Sequence, residues 1–131
     1  MDGIGGNITV SLQVQAGFTR NGIGERVPAW HDVPVTDENG EVIDWIGWLD
    51  LQSGDSKHNT YNAKMQESTH VFLSDYVTIP DTFEVDGEIV KVNAETTRMV
   101  ANSQRYDVML IDDPMGLHEQ LEVYLKYTGG Q

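Results

Sequence analysis

The stretch R-Y-D-V-M-L-I-D-D-P-M-G-L-H-E-Q-L-E-V-Y-L-K-Y-T-G-G-Q, Arg105 to Gln131, reads as two strands and their connection. In the second strand, Leu121 to Thr128, Leu121, Val123, Leu125 and Tyr127 share one face and Glu122, Tyr124 and Lys126 the other. Successive strand side chains point to opposite faces, so this alternation marks a strand with one buried side. Arg105 to Asp112 is the strand before it. Asp113-Pro114-Met115-Gly116 begins the connection, since Asp initiates turns and Pro presets the following dihedral.

The same pattern extends toward the N-terminus. Asp86-Gly87 is a tight turn between Phe83-Glu84-Val85 and Ile89-Val90-Lys91-Val92, the signature of a hairpin. Thr69 to Ile79 is a strand. Val42 to Gln52, V-I-D-W-I-G-W-L-D-L-Q, is the most apolar one, and Gly47 between Trp45 and Trp48 suggests a bulge or sharp bend. Asp37-Glu38-Asn39-Gly40 is a turn. Val27 to Val35 is broken by Pro28 and Pro34, which removes ladder donors and makes it short or places it at an edge. Gly17 to Gly24 is turn material with a hairpin signal at Asn21-Gly22. Ile8, Val10, Leu12 and Val14 alternate along a half-buried strand. Helix is confined to short turns near 93–102 or 117–120.

A period of 2 with frequent turns predicts a mainly all-β fold: a small antiparallel β-barrel or sandwich with one long polar loop and little helix. The 131 residues are expected to form one domain, with residues 1–7 as a flexible N-terminus. The long loop is 53–67: Ser53, Gly54, Asp55, Ser56, Lys57, His58, Asn59, Thr60, Tyr61, Asn62, Ala63, Lys64, Met65, Gln66 and Glu67. Loops of this length in compact domains are usually functional or disordered.

The net charge is −13, from 8 Lys and Arg against 21 Asp and Glu, and both halves are acidic. Phosphate neutralisation requires clustered basic residues, so sequence-specific DNA binding is not expected. No apolar run approaches the ~20 residues that a membrane helix needs. No basic-then-apolar leader opens the chain, so neither membrane insertion nor secretion is expected. There are no cysteines, which removes disulfides, Cys-ligated zinc and thiol chemistry.

His31, His58, His70 and His118 are scattered, without the paired spacing of a zinc site. His118 and Glu122 align only on a helix, and Glu122 lies in a strand pattern. Asp112 and Asp113 point to opposite strand faces, which suits them poorly to shared acid–base work. Asp44 and Asp50 flank Trp45 and Trp48, but the Trp spacing places the indoles on opposite faces, at least one of them in the core. No nucleophile elbow, P-loop or dinucleotide fingerprint is present. Neither an enzyme nor a cofactor is expected.

Three stretches resemble the head-closure, or stopper, proteins of long-tailed phages and prophages, within the head–tail joining group. Trp45 to Asp55, W-I-G-W-L-D-L-Q-S-G-D, is similar to the family's strand entering its long loop. Glu67 to Tyr76, E-S-T-H-V-F-L-S-D-Y, is similar to the strand leaving it, and Tyr106 to Gln131 to the closing hairpin. The resemblance implies a structural virion neck protein, made in the bacterial host cytoplasm. It implies self-assembly into a ring, commonly of twelve copies, between portal adaptor and tail-completion proteins. The loop 53–67 then projects into the channel, where Tyr61 and Met65 pack between copies and retain the packaged DNA. An acidic lumen repels phosphates, so DNA passes without sequence-specific binding. Met1–Asn7 orders on docking a neighbour.

Other functions remain open on the residues. A tail-completion or portal-adaptor protein belongs to the same setting. A carbohydrate-binding β-module requires exposed indoles among Trp30, Trp45 and Trp48, and an acidic DNA mimic requires carboxylates at phosphate-like spacing.

Overall fold

A computed structural model describes residues 3–51 and 68–127. They form β1 (Ile8–Arg20), β2 (Arg26–Val33), β3 (Val35–Thr36), β4 (Val42–Ile43), β5 (Trp45–Leu51) and β6 (His70–Asp75). After these come β7 (Thr82–Val85), β8 (Glu88–Lys91), β9 (Thr97–Ala101), β10 (Gln104–Asp112) and β11 (Gln120–Tyr127). Short 3-10 turns cover Ala94–Thr96 and Pro114–Gly116. The fold is all-β, as the period of 2 indicated.

The main sheet runs β2-β1-β5-β6-β11-β10-β9, and β9 pairs back onto β1. Strands β1, β5, β6, β11, β10 and β9 thus close into an antiparallel barrel. Closure is possible because β1 is long and uses its two edges differently. Val10 to Val14 pair with Ala101 to Thr97 on one side. On the other side Ile8 to Val10 pair with Gly47 to Trp45, and Leu12 to Arg20 pair with β2. Beyond Val14 the β1–β2 hairpin leaves the barrel as an arm. β2 lies at the sheet edge, where Pro28 can be accommodated.

The inward positions fill the barrel. Val10, Leu12 and Val14 of β1 meet Trp45, Phe72, Met99, Val108, Leu121, Val123 and Leu125. Each such side chain contributes about 1.5–3 kcal/mol by leaving water. Trp45 packs edge-on against Phe72, with ring centroids 5.6 Å apart. Of the tryptophans of β5, Trp45 is 3% exposed and Trp48 is 42% exposed, on opposite faces as expected.

Five local expectations change. The strand expected over 42–52 divides at Asp44: Val42–Ile43 pairs with β3 in a separate sheet, and Trp45–Leu51 joins the barrel. Gly17 to Phe18 is not a turn. The strand runs through to Arg20, with a register shift between Gln15 and Phe18, and Gly17 takes φ +73° there. Gly47 is not a bulge, because it pairs regularly with Ile8 and Ser74. It is a point of close approach: a Cβ there would overlap the Leu73 carbonyl and lie 2.6 Å from Phe72 Cζ. The strand expected over 69–79 ends at Asp75, although Thr78 still bridges to Thr36. On β11 the outward Tyr124 is only 7% exposed, because Val71 and Leu110 flank it on the neighbouring strands, while inward Tyr127 stands half-exposed at the strand end.

The segment before β1 is held to the barrel. Ile4 N–H donates to Asp75 Oδ1 at 2.8 Å, and Trp48 Nε1–H donates to the Ile4 carbonyl at 2.8 Å. Asn7 N–H donates to the Gly47 carbonyl at 3.0 Å.

Candidate functional site

The loop residues Ser53 to Glu67 lie outside the described residues, and β5 and β6 are the strands on either side of them. β5 and β6 are neighbours in the barrel wall. Their ladder runs from Gly47↔Ser74 to Leu51↔His70 without a register shift. Both ends of the long polar connection are therefore fixed side by side at one end of the barrel. A segment that leaves and returns within one ladder can be long without disturbing the wall, because the entropy of loop closure grows slowly with length.

An aromatic trio stands at this end. The His70 and Tyr106 ring centroids are 5.1 Å apart in an edge-to-face arrangement, and those of Tyr106 and Tyr127 are 5.5 Å apart. His70 and Tyr127 are 6.3 Å apart. The register explains the gathering: Tyr106 pairs with Tyr127, and His70 pairs with Leu125 two residues before it. Thr69 ties the strands together. Its Oγ1 accepts Tyr127 N–H at 2.8 Å and lies 2.9 Å from His70 Nδ1, while Thr69 N–H donates to the Leu125 carbonyl at 2.7 Å.

These contacts shift the titrations. Burial lowers the His70 pKa, which favours the neutral ring and lets Nδ1 accept from the Thr69 hydroxyl. Burial, and then the neighbouring Tyr127, raises the Tyr106 pKa. The trio packs beside the end of the β5–β6 ladder, next to Leu51↔His70. Sequence patterning placed His70, Tyr106 and Tyr127 in three separate strands. Only the pairing register brings them together.

The other residues considered for chemistry are dispersed. His31 Nε2 lies 3.0 Å from the Ala16 carbonyl. His118 Nδ1 contacts Asp113 Oδ2, and the His118 ring stacks on Tyr76 at 4.6 Å. Asp113 Oδ1 also accepts His118 N–H at 3.0 Å, so Asp113 does initiate the local turn. His58 lies outside the described residues. Among the described residues no three His, Asp or Glu side chains gather in a metal-holding group. The tryptophans form no common platform: Trp45 is in the core, Trp48 bonds to Ile4, and Trp30 carries the Arg98 guanidinium 4.2 Å above its ring.

No family model matches the chain, and no curated protein matches it. Among solved structures it is similar to protein SF1141 from Shigella flexneri 2a, determined in solution. The two are 15% identical, the match covers 100% of both chains, and the TM-score is 0.55. The likeness is one of fold. It carries no residue role to the site.

Proposed function

We propose that this chain is a structural component of a tailed-phage or prophage neck, where a ring of copies closes the DNA channel after packaging and presents the tail-docking surface. One observation carries the reading. The unshifted β5–β6 ladder ending at Leu51↔His70 anchors both ends of the long polar loop at one end of a closed barrel. A closed barrel lacks free edges in its wall, so the two strands that carry the ends of the connection are held on both sides.

The charge supports the same reading. A chain of net charge −13 presents a surface that repels phosphates, which suits a channel wall that DNA slides past. The sequence resemblance of Trp45–Asp55, Glu67–Tyr76 and Tyr106–Gln131 to head-closure proteins points to this position in the neck.

The test is electron microscopy of particles induced from a host in which the gene is deleted. Head closure predicts emptied heads beside finished, unattached tails. Filled, stable heads that lack tails would indicate a tail-completion or adaptor role instead. Normal virions would refute a neck function.

A further inference from the structure

The outer face of the barrel carries a row of polar side chains across four neighbouring strands. The register places Asp32 of β2 opposite Gln13 of β1, Gln13 opposite Arg98 of β9, and Arg98 opposite Asp107 of β10. Gln13 Nε2–H donates to Asp32 Oδ1 at 2.9 Å, and Arg98 Nε–H donates to Gln13 Oε1 at 2.8 Å. The guanidinium so fixed lies 4.2 Å above the ring of Trp30, which shares a strand face with Asp32. The indole is thus held by an outer-face network rather than by the core.

Beside this network lies a cleft of about 350 Å³, at the small end of the range for ligand sites. Trp30, Val108 and Met109 give it an aromatic and apolar wall, and Glu95 and Asp107 supply carboxylates. Two local devices build that wall. Glu95 sits in the 3-10 turn Ala94–Thr96, which is closed by a reciprocal cap. Asn93 Oδ1 accepts Thr96 N–H at 3.1 Å, and Thr96 Oγ1 accepts Asn93 N–H at 3.0 Å. Met109 is the extra residue where the β10–β11 register shifts between Val108 and Leu110, and bulges of this kind re-aim side chains beside functional sites.

The chemistry selects the ligand. An anion meets the carboxylates of Glu95 and Asp107. A cation finds the Trp30 ring already carrying Arg98. A neutral polyhydroxyl ring uses both kinds of wall, because its hydroxyls donate to carboxylates and its C–H face packs on an indole. We propose that this cleft binds a neutral sugar ring, with Trp30 as the packing surface and Asp107 and Glu95 as hydroxyl acceptors. The site stands on its own geometry and does not depend on the neck reading.

The test is a proton–nitrogen NMR titration of the full chain with glucose, galactose, mannose and N-acetylglucosamine. At least one of these should shift the Trp30 indole signal and the Glu95 and Asp107 amides saturably. D107N keeps the side-chain shape and removes the charge, and should weaken that sugar roughly tenfold, the size of a hydrogen bond to a charged group. W30A should abolish the shifts; Asp107 is exposed, so D107N keeps the test decisive even where W30A fails to fold. W48F alters an indole outside the cleft and should bind as the unaltered chain does. The proposal is overturned if none of these sugars shifts the signals, if D107N or folded W30A binds as well as the unaltered chain, if W48F removes binding, or if glycerol or choline shifts the signals as strongly as any sugar.

Discussion

Trp45 donates its indole N–H to Ser74 Oγ at 2.7 Å inside the barrel, and Ser74 Oγ donates in turn to the Asp75 carbonyl at 2.8 Å. The relay links the largest core side chain of β5 to the end of β6, where Asp75 also receives the Ile4 N–H. Ser74→Ala removes the acceptor and strands a buried donor. The expected loss is about 1–3 kcal/mol in urea denaturation, together with a change in Trp45 emission. A loss under about 0.5 kcal/mol, the size of an ordinary surface change, would contradict the relay.

Gly47→Ala tests the close approach of β5 to β6. The added methyl must displace the Leu73 carbonyl or the Phe72 ring, both parts of the packed wall. Overpacking of this kind costs about 1–3 kcal/mol or more. A neutral result would show that the wall can yield at that point.

Leu125 is fully buried between Val108 and His70 in the register. Leu125→Ala should lower stability by about 2–5 kcal/mol through lost burial and the cavity left behind. An effect within about 0.5 kcal/mol would refute its inward facing.

Burial of His70 predicts a pH-dependent stability. Burial holds the folded His70 pKa below the ordinary histidine value of 6.5, so below that value the unfolded chain binds the proton more readily. The contribution is present above pH 6.5 and is lost as pH falls through the window between the two pKa values. Comparing melting temperatures of the native chain and His70→Gln from neutral pH to about pH 5 should show a steeper decline for the native chain. Parallel curves would remove His70 as the source.

Deleting Asp55–Lys64 should leave the barrel folded, since the Leu51↔His70 pair already fixes the ends of the loop. Loss of the β-type circular dichroism spectrum would mean that the segment is needed for the core.

The strands of the barrel were readable where one face is apolar and the other polar. Val10, Leu12 and Val14, like Leu121, Val123 and Leu125, announce their burial by a period of 2. Two classes of feature were not readable. Gly47 carries the same letter as a bulge glycine, and only the position of Phe72 across the ladder shows that it is a packing site. Gly17 likewise reads as a turn, whereas β2 supplies a partner that carries the strand past it. Tyr124 is covered by Val71 and Leu110, which come from strands far from it in sequence. The aromatic trio depends on register across β6, β10 and β11, which local alternation does not encode. For the candidate site, sequence placed strands on either side of the expected loop, and the pairing of β5 with β6 brings those strands together.

The most direct test of channel closure is to supply the chain lacking Asp55–Lys64 to particles that have no intact copy, then measure how much packaged DNA survives nuclease. The closure reading predicts that the shortened protein is incorporated into necks while the DNA is lost, because the ring forms without its plug. Incorporation with full protection of the DNA would contradict it and show that this loop does not seal the channel.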